Sequence, residues 1–240
     1  MTLYRFDQIA ENLTVRVEPS DTDLERYVGL EHLDPESLKL RRWGSPSDVI
    51  GQKLKFWKGD IIYGKRRAYQ RKLAVADFDG ICSAHAMVLR AKQDVILPEL
   101  LPFFLQSEIF HQRAMEISVG SLSPTINWSA LAKQEFPLPP VDEQRRIADL
   151  LWAADDSITE WQETISRLEK LLAAFREDVL CNKELPRQKL KTCVKSITAG
   201  KSVLGFGKPA AENEFGVLKV SAVGADGFVA DENKTLEDKE

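Results

Sequence analysis

Between Gly64 and Lys72 the chain sets five cations, Lys65, Arg66, Arg67, Arg71 and Lys72, around Tyr69 and Gln70, directly after an apolar run. Arginine forks take phosphate oxygens or the O6/N7 edge of guanine, glutamine can pair with adenine, and lysines add sequence-independent affinity. The chemistry on offer is nucleic-acid recognition. An exposed hairpin whose long side chains snorkel to solvent would have the same composition. A second polar segment, Gly120-Ser121-Leu122-Ser123-Pro124-Thr125, carries hydroxyls and backbone N–H groups suited to phosphate, although an ordinary surface loop reads the same way. Ser121, Ser123 and the nearby Arg113 complete the candidate contact set.

Catalytic and metal chemistry is poorly represented. Cys82 and His85 stand in a C-x-x-H spacing, but the remaining histidines, His32 and His111, supply no second pair at zinc-site spacing. The segment 199–202 ends like a phosphate-binding P-loop, yet Lys195 occupies the place of its first glycine. The segment 205–210 mimics G-x-G-x-x-A, with Pro209 and the missing strand–helix context against it. No G-x-S-x-G or H-E-x-x-H is present, so a stand-alone nuclease or methyltransferase is disfavoured.

The formal net charge of −4 hides a strong asymmetry. Residues 39–72 hold eleven Lys/Arg against two acids, whereas residues 226–240 hold six acids against two lysines. Near a surface the local field matters more than the total, so the basic stretch can steer toward phosphates. A solvated surface run remains the alternative. With 43% hydrophobic and 29% charged residues over 240 positions, the chain reads as one large or two modest globular domains. Cys82, Cys181 and Cys193 form no disulfide framework, and no signal-peptide core or membrane-spanning run is expected; the compartment implied is the reducing cytoplasm.

The elements that must position the basic loop can be read in outline. Phe6, Ile9, Ala10 and Leu13 carry a short helical pattern. Strands are expected at residues 27–30, on both sides of Lys58-Gly59-Asp60 within 53–63, and at 73–76 and 86–89, with a turn at Asp77-Phe78-Asp79-Gly80. Leu100, Leu101, Phe104, Leu105, Ile109 and Phe110 give helical spacing over 98–115, and Ser129 is the expected cap of a short helix ending at Leu131.

After Pro137 the pattern changes. Ile147, Leu151, Ala154, Ile158, Trp161, Ile165, Leu168, Leu172, Phe175 and Val179 recur at steps of four and three, the spacing of a coiled-coil seam. Pro139 and Pro140 mark its start, while Asp142 and Glu143 suit the positive N-terminal end of a helix. A helix over about 141–181 is roughly 60 Å long at about 1.5 Å per residue. It cannot bury that seam alone and needs a partner helix. Without one supplied, the seam predicts self-association as an antiparallel pair.

Beyond the helix the chain seems to restart: residues 190–200 can be laid over 3–13, and 215–221 over 26–32, at low identity. The resulting organisation is α+β. It comprises a domain over 1–136, a long coiled-coil helix within 137–184, and an incomplete second α+β domain over 185–240, too short to pack as the first one does.

Three stretches, taken in order, resemble the specificity subunits of type I restriction–modification systems. Residues 27–33 (YVGLEHL) resemble that family's "YIGLEHL". Residues 58–69 (KGDIIYGKRRAY) look like its "KGDVLFGKLRPY" and continue into 72–83. Residues 137–147 (PLPPVDEQRRI) are similar to its "PLPPLAEQ-x-x-I" entry to a long helix. One departure is Ala68 where the family has proline, which is expected to loosen the loop. The other is that family members have two recognition domains and two antiparallel spacer helices, whereas this chain reaches Glu240 without a second helix.

The resemblance implies a target-recognition domain that reads one half of a split DNA target with basic loops in the major groove. It implies a helix that sets half-site distance and docks methyltransferase (modification) subunits, with the restriction subunit in the same complex. No active site is implied in the chain itself. S-adenosylmethionine, ATP and Mg would be bound by the partner subunits. The competing reading is a coiled-coil protein-interaction module, or a truncated remnant that binds no DNA.

Overall fold

The computed structural model describes residues 1–35, 37–180, 188–196, 208–211, 214–224 and 227–236. The chain forms two compact units, Met1–Ala173 and Ala174–Glu240. Cys181, the look-alike at 199–202, the first half of that at 205–210, and parts of the suspected repeat lie outside the described residues.

The first unit opens with β1 (Thr2–Arg5), a single turn α1 (Phe6–Ile9), and β2 (Ala10–Leu13). The helical pattern expected through Leu13 therefore stops at Ile9. Phe6 and Ile9 are fully buried by that turn, and Ala10–Leu13 then pair antiparallel with residues 88–91, which takes up the backbone groups a longer helix would use. Next come β3 (Arg16–Val17), β4 (Tyr27–Val28), β5 (Lys53–Phe56), β6 (Ile61–Gly64), β7 (Leu73–Val75), β8 (Gly80–Cys82) and β9 (Ala86–Ala91). They form two four-stranded sheets, β2-β9-β6-β7 and β3-β5-β8-β4; only the β4–β8 pair is parallel.

Consecutive strands β5 and β6 do not form a hairpin, because the turn between them carries the chain from one sheet to the other. Gly59 has φ +93°, a conformation open to glycine, and the buried Asp60 carboxylate accepts from Trp57 N at 2.8 Å and Arg90 Nε at 2.7 Å. Gly80, read from sequence as part of a turn, is instead the first residue of β8. A Cβ there would meet Phe56 Cζ at 2.6 Å and the Arg26 carbonyl at 2.8 Å, so close strand packing is what demands glycine.

The sheet β2-β9-β6-β7 is covered on both faces. Ile61, Tyr63, Leu73, Met87 and Leu89 turn toward the helices, and Ile62, Ala74, Ala86 and Val88 toward the second sheet. Burial on both sides explains why β6 and β9 read as nearly unbroken apolar runs rather than alternating ones. On the helical side Phe6, Phe110, Trp128 and Phe136 interlock, with ring centroids 5.4–5.9 Å from Phe6.

The helix expected over 98–115 is two helices, α2 (Leu101–Gln106) and α3 (Glu108–Glu116). Ser107 is extended, and its Oγ accepts from Phe110 N at 3.3 Å, which starts α3 afresh and turns Ile109 outward. The short α4 (Trp128–Leu131) is preceded by Asn127 at the cap position, with Ser129 inside the helix. The strand β10 (Glu135–Leu138) is masked in the sequence by Pro137; it pairs with β1 alone, an edge position where Pro137 can stand without an N–H.

Helix α5 (Val141–Leu180) is 40 residues long. Gln144, Ala148, Trp152 and Asp155 form the stripe that meets the recognition unit, and Ile147 packs partly beside it. Gln144 is buried, accepting from Leu97 N and donating to the carbonyls of Val95 and Pro139 at 2.9–3.0 Å. Trp152 Nε1 donates to the Glu99 carbonyl, and Lys39 pairs with Asp156 at 2.7 Å. The apolar seam is a different face: Ile158, Trp161, Ile165, Leu168, Leu172 and Phe175 are all exposed. Among the described residues no helix is long and apolar enough to cross a membrane.

The second unit contains a short helix α6 (Leu190–Cys193) and two antiparallel pairs. These are β11 (Gly216–Leu218) with β14 (Asn233–Thr235), and β12 (Val223–Gly224) with β13 (Gly227–Phe228). Among its described residues Ala222 and Thr235 are the buried ones, and Phe215, Val220 and Phe228 are exposed. The strand β11 followed by a 3-10 turn at Val220–Ala222 has the same order as β4 followed by the 3-10 turn Leu30–His32.

Candidate nucleic-acid interface

The basic loop leaves the end of β6 and returns into β7, with a 3-10 turn, Ala68–Gln70, at its tip. Its two flanking residues, Arg67 (φ 57°) and Arg71 (φ 50°), are the non-glycine residues with positive φ among those described. A left-handed backbone costs an L-residue about 1–2 kcal/mol, so the surroundings must impose it. They do so through hydrogen bonds. Arg67 N and Ala68 N donate to the Pro124 carbonyl at 2.8 and 3.3 Å, Ile126 N donates to the Lys65 carbonyl at 2.9 Å, and Gly64 N donates to the Lys72 carbonyl at 2.8 Å. Arg66 lies opposite Thr125 in an antiparallel bridge. The loop is thus held on both sides with Ala68 in place of the family's proline, and Ala68 itself is buried.

This geometry joins the two polar segments. Thr125 also bridges to Val119, closing Gly120-Ser121-Leu122-Ser123-Pro124 into a short loop with Gly120 at φ +104°. Ser121 is exposed and Ser123 half-buried beside the basic loop.

The cations divide into two groups. Arg66 and Arg67 are exposed and have no side-chain hydrogen-bond or ion-pair partner among the described residues; Tyr69 is half exposed between them and Arg71. Gln70 is half-buried. Arg71 is engaged by Glu108 in the first turn of α3 at 2.6 Å, and its hydrogen bond holds the Glu108 carboxyl below the ordinary carboxylate range. Burial, and then Arg71, push His111 below its usual value. Lys72 donates to the Leu30 carbonyl at 3.0 Å, which ties the loop to the segment 27–33. Arg113 lies on α3 and pairs with Glu116 at 3.6 Å. Lys65 is half-buried and lines a cavity together with Asn12, Arg16 and Lys53.

Sequence reasoning missed Glu108, because an acid in a helix's first turn is ordinary and nothing in its spacing points to Arg71. It also missed Pro124 and Thr125 as the loop's brace, since that role belongs to backbone atoms. Cys82 of the C-x-x-H pair is buried in β8, and burial pushes its thiol up to about 12. Among the described residues no group of three His, Cys, Asp or Glu could hold a metal ion.

Comparison with known proteins bears on this arrangement. The chain is 28% identical over 173 residues to the type I restriction enzyme EcoDI specificity subunit of Escherichia coli, a match covering 70% of this chain and 38% of the relative. Its fold is similar to the HsdS subunit from Thermoanaerobacter tengcongensis, with TM-score 0.55, 22% identity, and 77% of this chain covering 51% of that one. The type I system S subunit from M. genitalium gives TM-score 0.55 at 16% identity, with coverage of 76% and 46%. A chain from a type I R-M system studied for complex assembly and conformational transition gives 0.57 at 22%, with coverage of 77% and 51%. The chain spans about half the length of these relatives or less. A family model for the type I restriction modification DNA specificity domain matches residues 47–170, more than half of the sequence and including the basic loop, its brace and the start of α5. The chain belongs to the type I restriction–modification DNA specificity domain family.

Proposed function

We propose that the chain is a non-catalytic recognition subunit that reads one half-site of a split DNA target in the cytoplasm. Arg66, Arg67, Tyr69 and Gln70 contact bases or phosphates, and Lys65, Arg71, Lys72, Arg113, Ser121 and Ser123 support them. The observation that carries this reading is the pair Arg66 and Arg67: two exposed guanidinium groups without a partner among the described residues, Arg66 bridged to Thr125 and Arg67 on a left-handed backbone braced by Pro124. A merely solvated run has no need of that brace. Recognition loops do, because bidentate contact to a base edge requires a fixed arginine.

In the same reading α5 spaces half-sites and docks the methyltransferase subunits, with the restriction subunit joining them. S-adenosylmethionine, ATP and Mg belong to those partners. The exposed seam from Ile158 to Phe175 supports self-association through α5 when no second helix is supplied, giving a symmetric pair of half-readers.

The test is co-purification with a cognate methyltransferase subunit, followed by methylation sequencing of DNA exposed to the complex. A split adenine-methylated motif, palindromic if the chain pairs with itself, is the expected result. A complex that methylates nothing, or no complex together with no salt-dependent DNA binding, would favour the interaction-module or remnant reading.

A further inference from the structure

Beside Lys65, lined by residues from both four-stranded sheets and open to solvent at Thr14, Arg16 and Gln52, lies a cavity of about 180 Å³. Asn12 of β2, Thr14 from the β2–β3 connection and Arg16 of β3 line it, with Gln52 and Lys53 at the start of β5 and Lys65 just after β6. The chain has just crossed between sheets at this point, with Lys55 N donating to the Val15 carbonyl at 2.8 Å, so side chains from both sheets converge. Three of the lining residues are cations and none is an acid. Elsewhere in this unit Lys39, Arg42, Arg71, Arg90 and Arg113 each have a carboxylate partner. Here, among the described residues, Arg16 Nη1 has only the Gln52 amide oxygen at 3.5 Å, and Lys53 Nζ only the carbonyls of Ile50 and Gly51. The Lys65 ammonium has no hydrogen-bond or ion-pair partner among the described residues. Burial, and then the charge of Arg16, push Lys65 below its ordinary value, the response of a cation gathered with like charge and no counter-ion.

Size narrows the ligand. The volume is about six times a water molecule's ~30 Å³ share and well under the ~300–1,000 Å³ of pockets for drug-sized ligands. A tetrahedral anion with ordered water fits that space, and amide and hydroxyl groups among the cations suit its oxygens. Position narrows it further. Lys65 belongs to both the cavity and the basic loop, and Ile126, which also lines the cavity, is bonded to Lys65 through its backbone.

We propose that this cavity is a phosphate clamp, in which Arg16, Lys53 and Lys65 hold a backbone phosphodiester of the DNA strand whose bases meet the loop at Arg66 and Arg67. The proposal rests on the DNA-reading function and adds a contact site outside the loop. The clamp sets the register of the strand, and the loop reads it.

The test uses the full chain and a fluorescently labelled random-sequence duplex titrated across a KCl series. Arg16→Gln, and separately Asn12→Asp, which brings a negative charge to the cavity, should each weaken binding about three- to tenfold on every sequence. Arg16→Gln should also make the log–log salt dependence shallower by about one. Arg16→Lys should keep the slope, and circular-dichroism melts should show all three variants folded. If wild-type protein binds the duplex and both Arg16→Gln and Asn12→Asp match it in affinity and slope, the clamp is wrong while the DNA reading stands. If wild-type protein shows no salt-dependent duplex binding, the reading fails and the clamp with it. Inorganic phosphate, titrated against the thermal unfolding of the same proteins, covers the other source. Saturable stabilisation lost in Arg16→Gln, with duplex binding unchanged, would make this a free-anion site and overturn the clamp.

Discussion

The backbone amide of Arg67 donates to the carbonyl of Pro124 at 2.8 Å, and with the Arg66–Thr125 bridge it makes one surface of two loops more than fifty positions apart. The bond also accounts for the left-handed backbone at Arg67. The backbone of Arg67 is held by Pro124 on one side and by Gln70 N, which donates to its carbonyl at 2.9 Å, on the other, so the point from which the exposed side chain leaves is fixed.

If Arg66 and Arg67 read bases, truncation to alanine should cost about 1–3 kcal/mol on the cognate site and leave random DNA less affected. Competition binding on a motif obtained by methylation sequencing measures this directly. Equal losses on cognate and random duplexes would instead assign both residues to phosphate.

Glu108 neutralises Arg71 at the loop's edge, so Glu108→Gln should tighten binding to random duplex DNA by freeing that cation. The same release should occur with acid. The Glu108 carboxyl is held below its ordinary value, so the ion pair and whatever stability it gives are present above the unfolded carboxylate range. Both are lost as pH falls through the depressed value. Wild-type affinity should therefore rise toward the wild-type/Glu108→Gln common limit at low pH, and a pH titration of the two proteins side by side tests it.

Gln144 satisfies three buried backbone groups at the junction of α5 with the recognition unit. Gln144→Leu should destabilise the unit by about 2–4 kcal/mol, since Leu97 N and two carbonyls lose their partner without gaining water. Urea unfolding of the full chain is the measurement. A change within half a kcal/mol would mean that water replaces the amide.

Asp60 governs the passage from one sheet to the other. Asp60→Ala should cost about 2 kcal/mol, mostly from the stranded Trp57 amide, because Arg90 is half exposed and can rehydrate. Equilibrium unfolding with tryptophan fluorescence reports it, with Trp57 itself at the site.

The α5 seam should drive association. Leu168→Asp with Phe175→Asp is expected to convert a concentration-dependent dimer into a monomer in sedimentation velocity, with helical content retained. A wild-type chain that is monomeric at every concentration would contradict the role given to the seam.

What the sequence determined by itself were features carried by local pattern. The long helix follows from its heptad spacing and uninterrupted run, and the apolar strands β6 and β9 from their composition. The cationic loop follows from its charge density, and the α+β class from the mixture of periods. Tertiary structure decided what depends on backbone geometry and distant partners. The break at Ser107 came from a cap that competes with continued helical spacing. The strand at Gly80 came from the closeness of Phe56 and Arg26, where only glycine fits. Strands β5 and β6, adjacent in sequence, went to different sheets because the turn at Gly59 and Asp60 sets direction and hydrophobicity does not. The loop's cations were all visible as letters. Which were free and which already paired was settled by Glu108, Leu30 and Pro124, residues whose roles arise only once the chain is folded.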